Sequence, residues 1–206
     1  MLNLLRKDFI ASKISLGMSL LIFAVFCIFF MKKEMSMHLV GIITAFATIS
    51  SLTLNDTKNH NHQFLVTLPI SRKHIVQAKF MASLICIIVA VLASYGVHSL
   101  VKLVVPGYII VDYAIIDILA PIAILLVLTS IYLPLFYILS EKGAPILNGI
   151  FLFSFIVMAD PVARFIYTAS QNGVNYQILY TILLSTVLLF VASCYLTVYL
   201  FTKKDL

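Results

Sequence analysis

Six stretches of this chain contain no Lys, Arg, Asp or Glu: residues 14–31, 37–54, 80–101, 118–139, 144–159 and 178–201. A helix needs roughly 20 apolar residues, at about 1.5 Å each, to cross about 30 Å of hydrocarbon. Five of the runs are read as meeting that length. The run 144–159 is short, and the expectation there is a broken or tilted helix, or a hairpin that turns back where protein shields its backbone. Composition agrees: 62% of residues are hydrophobic and 11% charged, where a water-soluble domain carries about 25% charged residues. The sequence therefore predicts an all-α integral membrane protein with six transmembrane helices, a single domain over residues 1–206.

Basic residues orient the spans, because cytoplasmic loops are enriched in Lys and Arg. With both the N and C termini cytoplasmic, the inner segments hold ten of the fourteen basic residues: Arg6, Lys7, Lys13, Lys58, Arg72, Lys73, Lys79, Lys142, Lys203 and Lys204. The outer segments hold Lys32, Lys33, Lys102 and Arg164. The eight acids divide evenly, so the inner face carries the whole net charge of +6. An even number of spans returns the chain to the side on which it began. Ahead of the first run, residues 1–13 mix Leu2, Leu4, Leu5, Phe9 and Ile10 with Arg6, Lys7 and Asp8, a pattern suited to a short helix along the inner interface. The first run ends in Met-Lys-Lys-Glu-Met rather than at a small-residue cleavage site, so its helix is expected to be retained.

Motifs of chemistry are largely missing. The chain has no phosphate-binding loop, no Gly-x-Ser-x-Gly elbow and no His-Glu-x-x-His pair. Cys27, Cys86 and Cys194 lie at membrane depth, where Cys acts as a small apolar filler. His60, His62 and His74 are read as parts of a solvated loop rather than a metal site, since Asp56 is the one acid nearby. His98, one helical turn before Lys102, is expected to place its polar tip among lipid headgroups rather than on a substrate. None of the eight acids falls inside the six runs, and Asp117 sits just before the fourth. Ion-coupled transporters keep ionisable groups at the midplane, so any energy for transport is expected to come from another chain.

The strongest local pattern lies between the second and third runs. Residues 57–68 can form a short helix, polar at Thr57 and Lys58 and apolar at Phe64, Leu65 and Leu68. Pro69 interrupts it, because proline disfavours helical geometry in the preceding residue. Ser71 suits an N-cap, with its hydroxyl accepting from a free backbone N–H of the next helix. That helix is expected to start near Arg72 and project about two turns beyond the bilayer.

Leu68-Pro69-Ile70-Ser71-Arg72, followed by Ile75-Val76 and Lys79, resembles a pattern in small bacterial permeases of the type-2 ATP-binding cassette (ABC) family. The likeness extends over most of the chain in layout and is specific in residues over about 56–79. It implies a type-2 ABC exporter-like transmembrane domain, with no cofactor in this chain and with ATP and Mg on a partner ATPase subunit. It further implies that residues 57–68 form a coupling helix docking on that ATPase, with Phe64 and Leu65 as anchors and Arg72 supporting the joint. The Asn-His-Asn-His tract departs from the charge, glycine or aromatic expected there. In such exporters the outer end of helix five breaks into re-entrant pieces. Here Asp160-Pro161 offers a helix start and Asp160 stands four residues from Arg164, so 160–176 is read as an outer re-entrant or loop segment.

Gly41, Thr44, Thr48 and Ser51 share one face of the second helix, either a pathway or dimer face or simple packing. The functional expectation is the permease subunit of an ATP-driven exporter in a bacterial plasma membrane. Its partners would be cytoplasmic ABC ATPases, a second permease copy or sister permease, membrane lipid and amphipathic peptide cargo, with no role for nucleic acid. A charge-free interior favours such cargo, and size and layout resemble exporters of phenol-soluble modulins and bacteriocin-like peptides. A non-transporting immunity or sensor-associated protein that sequesters a toxin peptide is the alternative.

Overall fold

The computed structural model describes residues 6–7, 9–10, 13–30, 36–58, 71–104, 113–139, 143–171 and 176–203. Among these, six long helices follow one another: α1 (Lys13–Phe30), α2 (Ser36–Lys58), α3 (Arg72–Val104), α4 (Ile115–Ile138), α5 (Gly143–Gln171) and α6 (Tyr176–Lys203). Helices satisfy every interior backbone group within the segment, which lipid requires. Positions 6, 7, 9 and 10 are helical as well, and Phe9 packs against the core.

Four helices, α2, α3, α4 and α6, are long and apolar enough to cross a membrane. In α5, Pro145–Ser154 and Ile156–Ala169 meet at a 40° bend, a geometry that fits a broken span or a re-entrant hairpin. The apolar part of α1, Leu16–Phe29, falls short of a full span. The expected span over the first run is thus not among those that length and composition alone identify.

The axis of the bundle is α2. Most of its apolar stretch is buried, 78% of positions against 22% in α6. Ile42, Ala45, Phe46, Ile49 and Leu52 belong to the core that α2 shares with the other helices, and Leu39 meets Ala159 and Ala163 of α5. The outward faces are apolar too: Leu20, Phe29, Leu103, Phe153 and Phe165 are each more than two-thirds exposed. Such a surface is stable only against hydrocarbon.

Elements alternate in direction. The start of α3 contacts the end of α6, while the starts of α2 and α4 contact each other. Two prolines, Pro121 and Pro134, lie within α4 without ending it. The carboxylate of Asp117 accepts from the Ala114 N–H at 2.7 Å and closes its first turn.

Pro161 also lies inside a helix rather than at a helix start, because α5 runs unbroken through it to Gln171. The segment read as re-entrant or loop is thus helical from Asp160 to Gln171, bent earlier in its course. Residues 172–175 lie outside the described residues.

Candidate functional site

At one end of the bundle, α3 begins at Arg72 as the spacing predicts. Ser71 holds the capping position, and its carbonyl accepts from the His74 N–H at 2.9 Å. Its hydroxyl pairs with the His74 ring Nδ1 at 2.8 Å instead of with a free backbone N–H. His74 therefore takes part in a local cap. No group of three or more metal-ligating side chains occurs among the described residues.

Arg72 reaches across to α6. Its Nη1 lies 3.4 Å from the carbonyls of Phe201 and Thr202, in the last turn of that helix. These carbonyls belong to the last turn of α6, where the helix dipole places negative potential. A guanidinium answers both. Around it Tyr137 of α4 packs edge-on against Phe201, so the ends of α3, α4 and α6 meet at one point.

The two turns of α3 after Arg72 pack against α2 and α6. Ile75, Val76, Ala78 and Lys79 are buried, and Phe80 stacks edge-on against Phe190 of α6. Lys79 is 3% exposed and its Nζ donates to the Leu52 carbonyl of α2 at 3.4 Å. The motif's two basic positions thus tie α3 to α6 and to α2. Thr57 and Lys58 occupy the last turn of α2, so the helix leaving the membrane continues through the first two residues of the expected coupling helix. Phe64, Leu65, Leu68 and Pro69, with His60 and His62, lie outside the described residues.

Deeper in the bundle, the enclosed Tyr132 hydroxyl meets the Thr53 hydroxyl of α2 and donates to Asn148 Oδ1 of α5 at 3.1 Å. Three helices are joined by this chain. Sequence reading missed it, although the polar residues Thr53, Tyr132 and Asn148 inside apolar runs were its signal. Beside it, α2, α4, α5 and α6 line an open-sided cavity of about 450 Å³. Its wall is apolar, with Ile42, Leu128, Phe151 and Met158, and Ser154 and Thr186 supply two hydroxyls.

The small-residue face of α2 divides. At Gly41 an added Cβ would stand 3.4 Å from Ser94 Cβ and 3.6 Å from Val91 Cα, so this glycine is a packing contact with α3. Thr44 and Thr48 line a smaller cleft of about 310 Å³ with α1 and α3, and Thr48 bonds back to the Thr44 carbonyl at 2.7 Å. Ser51 bonds to the Ala47 carbonyl at 2.8 Å. In α5, Arg164 Nε donates to Asp160 Oδ2 at 2.8 Å, the pairing its spacing predicts, on an exposed face where it contributes little.

At the other end of the bundle His98 is fully buried, its Nδ1 2.8 Å from the Ser94 carbonyl. The headgroup-facing placement expected for it is wrong, because Tyr113 closes over it edge-on. Asp117, read as lying just outside a span, is 2% exposed and 3.3 Å from the His38 ring.

None of the curated proteins and none of the solved structures matches this chain. The family model described as "ABC-2 family transporter protein" matches residues 3–202, nearly the whole length, and the chain therefore belongs to that family of multi-pass membrane proteins.

Proposed function

We propose that this chain crosses a bacterial plasma membrane six times, with both termini in the cytoplasm, and serves as the permease of an exporter for amphipathic peptides. Membership of the ABC-2 family carries the coarser statement: the chain is a permease component of an ABC transporter, and ATP is hydrolysed on a separate subunit. Two permease chains, identical or sister, would then bind two ATPases, which hold ATP and Mg. Residues 57–68 would transmit the closure of the ATPases to the joint at Arg72, where α3 and α6 are tied. The cavity of about 450 Å³ supports apolar or amphipathic cargo, since its wall offers hydroxyls and no charge.

The test is co-purification. The chain is expressed with its flanking genes, extracted in mild detergent, and its bound subunits are identified by mass spectrometry. A stoichiometric subunit with a phosphate-binding loop is expected, and Phe64→Ala with Leu65→Ala should release it. Arg72→Ala should leave it bound but lower ATP turnover. Recovery of the chain alone, in repeated mild extractions, would overturn the reading. Cargo is read separately: loss of the gene should raise sensitivity to amphipathic peptides, and unchanged sensitivity would count against peptide export.

A further inference from the structure

Three helix ends meet at the side opposite Arg72 in a cluster for which the coupling path has no use. His38 opens α2, His98 lies in the last turns of α3, and Asp117 sits in the first turn of α4. All three are at most 2% exposed. Tyr113 stands edge-on to both histidine rings and to Tyr95. Ionisable side chains inside a membrane protein are costly to bury, and by default they mark function.

We propose that His38 and Asp117 form a latch that closes the outer ends of α2 and α4 and parts when the complex opens outward. The inference rests on the exporter reading for its motor, while the contact itself does not depend on it. Asp117 Oδ2 accepts from the Ala114 N–H at 2.7 Å, and the carboxyl group sits at a helix N-terminus, where the dipole favours a negative group. Its Oδ1 is 3.3 Å from His38 Nε2, too poorly aligned to make a hydrogen bond. Neither ring nitrogen of His38 has a hydrogen-bond partner among the described residues. Hydrogen-bonded contacts such as that of Ser94 with Met37 hold two helices in one arrangement. An electrostatic touch whose two members hydrate readily on separation can instead rest in either of two arrangements.

The packing places the break at this end. At its outer end α2 is bound to α3, with Gly41 against Ser94 and the Ser94 hydroxyl donating to the Met37 carbonyl at 2.8 Å. Its partner α4 is bound to α6 through the Ser193 hydroxyl, which donates to the Ser130 carbonyl at 2.6 Å. Between these two units, Phe46 with Tyr132 and Thr53 with Tyr132 join α2 to α4 farther inward. A rocking motion about Tyr132 therefore opens the outer ends by separating His38 from Asp117 while leaving the inner pins in place.

The complex with its ATPase is prepared with Cys27→Ala, Cys86→Ala and Cys194→Ala, carrying His38→Cys and Asp117→Cys. A short bis-methanethiosulfonate reagent then bridges the two thiols, and linked peptides are verified by mass spectrometry. Bridging is expected to lower ATP turnover several-fold, with recovery on adding reductant. The same bridge between Met37→Cys and Ser94→Cys, within one moving unit, should leave turnover unchanged. Full turnover in the bridged His38–Asp117 complex would overturn the latch. Should the cysteine pair not assemble, the exchange His38→Asp with Asp117→His decides. Turnover is expected to survive in the exchanged pair and fall in either half alone, and equal turnover in all three would overturn the latch. Absence of a bound ATPase defeats the exporter reading, whereas a bound ATPase indifferent to the bridge defeats only the latch.

Discussion

Single hydroxyls and cations hold this bundle where apolar packing cannot choose between partners. In lipid, helices gain little from the hydrophobic effect alone, because tails are as apolar as leucine. Tyr132 illustrates the consequence. Its hydroxyl joins α2 to α5 through Thr53 and Asn148, deep in the bundle. Tyr132→Phe removes the donor to Asn148 and leaves its buried oxygen without that bond, a loss of about 1–2 kcal/mol. Thr53→Val keeps the Tyr132–Asn148 bond, and a smaller loss is expected. Thermal unfolding of the two variants in the same detergent ranks them, and equal melting temperatures would show that the three residues do not act as a chain.

Helix by helix, spacing in the sequence carries information up to the point where a third helix intervenes. Gly41 sits on a small-residue face that spacing reveals, yet only its neighbour tells what the face is for. The added Cβ of Gly41→Ala meets Ser94 at ordinary van der Waals distance, so this variant should be nearly silent. Gly41→Leu drives branched atoms into Val91 and Ser94 and should cost about 1–3 kcal/mol, read again as a drop in melting temperature. Gly41→Leu as stable as the parent would restore the pathway or dimer reading of that face. The start of α3 was legible because Pro69 and Ser71 are local signals, as was the i,i+4 pairing of Asp160 with Arg164. The continuity of α5 was not, because proline in a membrane helix is tolerated when neighbouring helices pack around it. Ala159 and Ala163, on either side of Pro161, pack against Leu39 of α2, a contact no local pattern announces. The burial of Lys79, His98 and Asp117 was hidden for the same reason: each is covered by residues distant in sequence.

For the molecule as a whole, the open question of crossing number reduces to α1. The alternation of helix ends is fixed by contacts: Arg72 meets Phe201 at one end, and His38 meets Asp117 at the other. The first end also carries Lys73, Lys79 and Lys203, and the proposed topology takes it as the cytoplasmic one because cytoplasmic segments are enriched in Lys and Arg. The chain N-terminus then lies inside only if α1 crosses. Its 18 residues span about 27 Å, a few ångströms short of the hydrocarbon, and a mismatch of that size is met by local thinning at modest cost. Met18, Leu20, Leu21, Ile28 and Phe29 face outward along its length, a surface fit for lipid over the whole depth rather than at one interface. With Cys27, Cys86 and Cys194 replaced by Ala, Asn3→Cys should resist a membrane-impermeant maleimide in intact cells and react once they are permeabilised. Labelling in intact cells would put the N-terminus outside and reduce α1 to a helix lying on the outer face. The inner-face excess of positive charge would then lose Arg6, Lys7 and Lys13, its largest contribution ahead of the first span.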